Sequence, residues 1–581
     1  MSLYNFLDAA CRSSDIDDYS PRELIHAAER LGENDQLTED EQILLKIIQD
    51  IVSLTENYNE RNNVFSPFAV LEGCRSFSPK DMTQEKWAAL QMIDLDKLPT
   101  VIKARIADFI WDQRKDYTAG IIAIQAYIQL HHILWDEVNW NACFDMIQRA
   151  ISIAAQINKN SDEYKNCLDT IKSSIKKTKG KDTLYLSLEL LKLLNQHDRI
   201  SESDLIICAI EIVETAKQNN IVKLDEGAHL LYVIYKAKGE ESEGRKYLCL
   251  LAEEYVSMAH NKADMLLRRI EHLKKAIHIY RTIHDRSNSE KYLKELETMQ
   301  PEMLNNMQYF QLKYDVTEYR KHVLELTDKQ QTLPDFMRIL ACCCSIKSKN
   351  QLFQDITGND KLVIDNLFGE KEIDDEGHQL YQLPPLDFDN IDISSPEVVA
   401  RMWRKAAAEQ KIFGSTCLEW IIEEMNKRID YNIDDLNYIV TNNGIIPEGR
   451  EKIIRSGLFM GLRGDYYAAL HILLPQIEHL YRNIAHMCGA ITYTLENDNS
   501  SQAKTLGSIF ALPELIEAYD EDVLFCLRGL LDEKAGSNLR NMVAHGLLNP
   551  YTANSGIGQY FLCLFIKILL WTAVEEYDKG K

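Results

Sequence analysis

Thirteen cysteines occur in this chain of 581 residues, yet none stands in a C-x-x-C pair. That gap removes the zinc-ribbon and dithiol classes, and thiols scattered through apolar helical patterns suit a reducing cytosol better than a disulfide framework. Cys342, Cys343 and Cys344 are adjacent, and three thiols on neighbouring helix positions cannot all face one metal, so packing is their expected role. A Walker A sequence, a Gly-rich dinucleotide turn, an H-E-x-x-H and a deaminase-type H-x-E with P-C-x-x-C are all missing. No nucleotide fuel, cofactor or metal is therefore expected. Long hydrophobic runs are lacking too. The N-terminus, MSLYNFLDAACRSSD, has no basic region leading into an apolar core, so no signal peptide is expected. The longest apolar stretch, Tyr560 to Val574, falls short of the roughly 20 residues that cross a bilayer. It carries Lys567 in its middle and reads as a buried helix, with no membrane partner and a cytoplasmic location. Positive charge is scarce: 65 Lys and Arg face 89 Asp and Glu, a formal net charge of -24. Bulk attraction to nucleic acid is opposed, and any such site must be locally basic.

What is there is helix. Apolar residues recur at three- and four-residue spacing almost throughout, while alternation and β-branched runs are few, so the chain is expected to be mostly α. Ser20-Pro21-Arg22-Glu23 places proline at a first helical position, and Thr38 with Glu41 has capping-box spacing. Residues 1–82 read as a helical lead-in and connector, the connector containing FSPF and SFSPKD. Residues 83–345 read as an irregular helical-hairpin scaffold of tetratricopeptide-like kind, broken at Asp116, Asn158 and Gly239. No strict period of about 34 residues appears, which leaves a compact multi-helix domain as the alternative. Residues 346–395 form an acidic linker with the one plausible hairpin, and 396–581 return to helix. Asp387, Asp389 and Asp392 lack the glycine and terminal glutamate of a calcium loop. His131, His132, His272, His278 and His284 have no acidic or cysteine partners at ligand spacing and read as core or surface residues. Two basic clusters stand out, KKTKGK at Lys176–Lys181 and the stretch Leu266–Arg286. On the latter, Arg268, Lys275 and Arg281 are the candidate RNA contacts opposite an apolar stripe of Leu266, Ile270, Leu273, Ile277 and Tyr280. A solvated helix face accounts for the same residues.

Near the C-terminus, GSNLRNMVAHGLLNP (Gly536–Pro550) places Arg540, Asn541 and His545 on a short helix that opens at Ser537 or Asn538 and stops at Gly546 and Pro550. No other histidine of the chain has an arginine five positions upstream. Asn541 and His545, four apart, share a helix face, while Arg540 projects elsewhere, near a helix start whose free N–H groups suit an anion. From composition and spacing alone, a surface ion pair for Arg540 and a helix-end role for His545 explain the pattern more simply.

The string LRNMVAHG, preceded by the helix ALHILLPQIEHLYRNI (Ala469–Ile484), resembles the RNxxxHG-motif family. That family is similar to the HEPN superfamily of helical ribonucleases, whose signature is Arg, a polar residue, three variable positions and His. The likeness spans roughly Pro447 to Val574, with Arg540, Asn541, His545 and Gly546 on the motif and Glu478 and Arg482 on the upstream helix. Glu478 and Arg482 also stand in the order of an ordinary i,i+4 ion pair. The segment Leu98–Ile128 resembles the N-terminal domain that accompanies the motif domain in bacterial members. The resemblance implies a HEPN-like bundle over 396–581 that acts as a metal-independent endoribonuclease, a toxin or defence effector, leaving 2′,3′-cyclic phosphate ends. His545 would move a proton, Arg540 would hold the scissile phosphate and Asn541 would orient His545 or a phosphate oxygen. It implies a homodimer with a composite cleft. Arg540 and His545 lie about 140° apart around a regular helix, so two chains would supply them, with Tyr560–Val574 as the self-complementary surface. A regulatory protein partner is a further expectation. Families silenced by a nucleotidyltransferase partner carry tyrosine two residues after the histidine, where this chain has Leu547. Membrane association, a property of the eukaryotic member, does not carry over to a chain without a spanning run. The rival reading is a noncatalytic helical scaffold whose Arg540, Asn541 and His545 bind a ligand or stabilise the bundle.

Overall fold

The computed structural model describes residues 3–13, 37–58, 62–71, 74–305, 307, 315–358, 368–374, 376–387, 391–496 and 500–579. Helix dominates, and the strands among these residues form four separate two-stranded antiparallel hairpins. The helix start expected at Ser20-Pro21 lies outside the described residues, as does Asp389. No described helix is long and apolar enough to cross a membrane. The chain divides into two compact units, Met1–Met299 and Gln300–Lys581. The division thus falls ahead of the acidic stretch 346–395, because the helix Leu333–Cys343, read from sequence as the end of the scaffold, packs on the C-terminal helix Ile557–Lys579.

In the first unit, Thr38 Oγ1 accepts from the Glu41 N–H at 3.3 Å, and Glu41 Oε2 accepts from the Thr38 N–H at 3.0 Å. This capping box starts the helix Glu39–Val52. Its buried face, Ile47, Ile48, Ile51 and Val52, joins Leu3, Phe6, Ile106 and Phe109 in one apolar cluster. From Thr100 to Thr282 each helix packs against the next in sequence. Asp116 caps the helix Tyr117–Ile133 by accepting the Ala119 N–H at 2.9 Å, and Gly239 takes a φ of +80° where Ile221–Ala237 ends. Three helices meet at a buried ion pair. Arg149 donates to both Asp108 oxygens at 2.8 and 2.6 Å, both side chains are fully buried, and the Tyr127 hydroxyl donates to the same carboxylate at 2.9 Å. Burial disfavours both charges, so the bidentate geometry and the tyrosine are what make the pair tenable.

The second unit is built around Ile557–Lys579, from which Tyr560, Phe561, Leu562, Leu564, Phe565, Ile566, Ile568 and Leu569 are each at most 2% exposed. Of the expected self-complementary dimer surface Tyr560–Val574, the stretch Tyr560–Leu569 is therefore corrected: it is covered within the unit. These apolar residues are consumed inside the unit by the helices Leu333–Cys343, Pro396–Phe413, Glu451–Leu462 and Tyr466–Met487, and Trp571 is exposed. Lys567 has a structural reason to interrupt the run: its Nζ donates to the Cys344 carbonyl at 2.6 Å, at the end of Leu333–Cys343. A cation there satisfies an orphan carbonyl and complements the helix dipole. Tyr560 donates to the next carbonyl, Ser345, at 2.9 Å. The start of the helix is set by two glycines. A Cβ on Gly414, in the π-helical turn Gly414–Leu418, would overlap the Gly556 carbonyl, and one on Gly556 would overlap the Lys411 carbonyl.

His131 is a core residue. It is fully buried, with Nδ1 2.7 Å from the Cys143 carbonyl oxygen and Nε2 2.8 Å from Ser174 Oγ. Burial pushes its pKa down to about 4, against a smaller opposing effect of the Cys143 carbonyl. The folded value lies below the unfolded one, so its contribution is present above pH 6.5 and is lost as pH falls through about 4. We expect the wild type to lose roughly 2–3 kcal/mol more than His131→Gln between pH 7 and pH 4. Urea unfolding of both at the two pH values measures it, and equal losses would remove His131 from the account.

Candidate functional site

The motif is held in place by the residues that precede it. Gly536 lies so close to Gly529, on the helix Glu521–Leu531, that a Cβ would overlap the Gly529 carbonyl, which also accepts the Ser537 N–H at 2.9 Å. Asn538 then takes a left-handed φ of +50° and opens the six-residue helix Leu539–Ala544. Leu539 and Leu548 are buried at either end, and Met542 and Val543 pack on the core between them. Gly546, at a φ of +70°, ends the helix; its N–H donates to the Val543 carbonyl and that of Leu547 to Met542. His545 sits at this C-terminal cap, exposed, with its backbone N–H on the Asn541 carbonyl at 3.0 Å.

Arg540 does not reach over the helix start. Its Nε donates to Glu478 Oε2 at 3.0 Å and its Nη1 to Asn541 Oδ1 at 2.9 Å. Glu478 lies on Tyr466–Met487, where its other oxygen accepts from Arg482 Nη2 at 2.9 Å. Arg482 in turn donates to the Lys504 carbonyl at 3.2 Å. One carboxylate, 17% exposed, is thus shared by two guanidiniums and joins the motif helix to the long helix beside it. Asn541 continues the chain: Nδ2 donates to the Asp532 carbonyl at 3.2 Å and to Asn538 Oδ1 at 2.7 Å. Its side-chain amide is committed to the loop and to Arg540 and makes no bond to the His545 ring.

Asn541 and His545 line a cleft of about 1030 Å³, and Arg540 does not. Lys411, Lys534 and Tyr551 line it too, as does the hairpin Glu370–Ile373/Gln379–Leu383 with His378. Burial holds the Lys411 ammonium below the usual lysine range, opposed by Glu372 and reinforced by Arg404. Tyr551 is 85% exposed. An imidazole with no internal hydrogen bond among the described residues, in a cleft with two amines, can exchange a proton with an anion held there. The amines and hairpin were not visible as part of a site in the sequence. Lys411 belongs to an ordinary amphipathic helix, and a histidine four residues after an aspartate in a turn is too common to signal anything by itself.

The basic helix in the first unit is the span Leu266–Thr282, with Ile270, Leu273, Ile277 and Tyr280 buried as the stripe required and Leu266 only partly covered. Arg268, Lys275 and Arg281 are exposed. Arg268 and Lys275 are seven apart, within about 20° on a helix, whereas Arg281 lies roughly 120° from Lys275. Lys275 Nζ also sits 5.1 Å over the Tyr255 ring. In the KKTKGK segment, Lys176 pairs with Glu202 at 2.8 Å and Lys177 sits over Trp135 at 4.2 Å.

The contrast between Arg540 and His545 is testable through stability alone. Arg540→Ala removes hydrogen bonds to a carboxylate and an amide and should cost about 1–3 kcal/mol, while His545→Ala should stay within about 0.5 kcal/mol. Chemical denaturation of both variants decides it; equal stability would mean Arg540 is no strut.

A family model described as a domain of unknown function (DUF7380) matches residues 4–166, within the first unit and away from the motif. No curated protein matches the chain. Over 4–166, then, the chain is similar to that domain family.

Proposed function

We propose that the second unit is a HEPN-like, metal-independent endoribonuclease that cleaves RNA to 2′,3′-cyclic phosphate and 5′-hydroxyl ends, with the first unit as a helical-repeat scaffold. The observation that carries this reading is His545 itself: an exposed imidazole, held by its backbone at a capped helix end, opening on a cleft that two lysines share. His545 moves a proton at the reacting oxygens. Lys411 and Lys534 offset charge on the phosphate. Arg540 lines no part of its own cleft, so it reaches a phosphate only from a second chain, through the N–H donors that Glu478 and Asn541 leave free. The homodimer belongs to this reading, with a contact formed by surface other than the buried C-terminal helix. A regulatory partner and a toxin or defence role rest on the resemblance alone.

A second reading has its own observation. The chain Asn538, Asn541, Arg540, Glu478, Arg482 is a continuous polar strut, and a noncatalytic scaffold needs no more than that.

Purified protein is expected to cut mixed RNA in EDTA, and His545→Ala to lose at least 100-fold in rate at unchanged melting temperature. Mixing Arg540→Ala with His545→Ala should restore part of the activity as subunits exchange. An inactive wild type favours the strut reading. Active wild type with no recovery after verified exchange removes the shared site.

The basic helix makes a separate expectation. Reversing Arg268 and Lys275 to glutamate together should weaken RNA binding and flatten its salt dependence, and Arg281→Glu should do so much less. A salt titration of affinity checks it, and unchanged binding assigns all three to a solvated face.

A further inference from the structure

The cleft lined by His545 has a second imidazole on its wall, that of His378. His378 stands at the turn of the hairpin Glu370–Ile373/Gln379–Leu383, which is folded around Asp374. The Asp374 carboxylate accepts the N–H groups of Glu376 at 3.0 Å and of His378 at 2.7 Å, and the His378 ring Nδ1 lies 3.0 Å from its other oxygen. Burial works against that carboxylate, but the donors outweigh it and hold its pKa below the ordinary value. It is therefore ionised at neutral pH. A turn needs only the two backbone bonds. The third fixes the ring, whose proton is then held on Nδ1 and whose Nε2 is left as an acceptor. The His378 side chain remains 43% exposed.

The surroundings suit an anion better than the acidic hairpin suggests. Glu372 is paired with Arg404 at 2.6 Å and Asp374 with His378, while Lys411 and Lys534 line the same space. Glu376, at 3.7 Å from the His378 ring, is the carboxylate least engaged. Arg404 and Lys411 lie on one helix, Pro396–Phe413, so the bond from Arg404 to Glu372 ties the hairpin to the element that carries the half-buried amine.

We propose that His378, oriented by Asp374, is a second proton-transfer residue of this cleft and works with His545 on an RNA phosphodiester, an inference that rests on the ribonuclease reading above. His378 Nε2 takes the proton of the 2′-hydroxyl as the 2′-oxygen bonds to phosphorus. The bond from phosphorus to the 5′-oxygen breaks, its electron pair leaves on that oxygen, and protonated His545 supplies the proton. A 2′,3′-cyclic phosphate and a 5′-hydroxyl result, and the two rings have exchanged protonation states, which solvent restores. No metal or further reactant is consumed. Asp374 acts through the ring and is a positioning residue.

The experiment compares two substrates in the full-length chain: a dinucleotide, whose leaving 5′-oxygen needs a proton, and a uridine 3′-(p-nitrophenyl) phosphate, whose leaving group does not. His378→Gln should lose 100-fold or more on both, with the melting temperature of the wild type, because the attacking hydroxyl still lacks its base. His545→Ala should lose as much on the dinucleotide and recover to within about tenfold of wild type on the activated ester. Asp374→Asn should fall between, with its loss in kcat and little change in KM. Wild-type cleavage with undiminished His378→Gln activity overturns the proposal and leaves the ribonuclease reading standing. His378→Gln rescued by the activated ester overturns the assignment of His378 as the base. No cleavage of either substrate by wild type overturns both readings together.

Discussion

A helix that is apolar on every side has to be enclosed, and the second unit is the consequence of enclosing one. Ile557–Lys579 exposes almost nothing from Tyr560 to Leu569, so helices from four separate stretches of sequence surround it. Burying that many large side chains, at about 1.5–3 kcal/mol each, dominates any polar contribution in the unit. The polar exceptions are placed where they do structural duty. Lys567 and Tyr560 reach the carbonyls that end Leu333–Cys343, and paired glycines at 414 and 556 allow two backbones to touch where the helix begins.

The motif inherits its position from that enclosure. Glu521–Leu531 packs in the same unit and offers the Gly529 carbonyl to Ser537; the steric limit at Gly536 then leaves the loop one path, and the left-handed Asn538 turns it into the motif helix. Six residues are too few to be stable as an isolated helix. What fixes them is the burial of Leu539 and Leu548 at the two ends and the Glu478 carboxylate across from Arg540. The two sides of the motif thereby acquire different work. Arg540 and Asn541 are knitted into the unit, while His545, beyond the last helical turn, is left to the cleft. Residues five apart on a helix diverge by roughly 140°, and the structure uses that divergence to separate a tethered cation from an open imidazole.

Several features were legible in the residues by themselves. Helix spacing, the capping box of Thr38 and Glu41, the burial of Tyr560–Leu569, the stop at Gly546 and the ion pair of Glu478 with Arg482 all follow from local periodicity and backbone preference. Each depends on neighbours within about one or two helical turns, so a sequence window contains the whole cause. Even the hairpin after residue 368 was visible as a lapse of helical period.

Only the tertiary structure decided what those parts meet. Arg540 has no carboxylate within its own helix, and the one that holds it lies 62 positions away. Lys411 gains its partial burial, and His378 a share of the cleft that His545 lines, from the packing of a helix, a hairpin and a loop that are far apart in the chain. The apolar C-terminal helix shows the same limit from the other side. Its hydrophobicity determined that it must be covered, but hydrophobic burial is non-directional, and whether the cover came from a second chain or from the protein's own helices was settled by the fold.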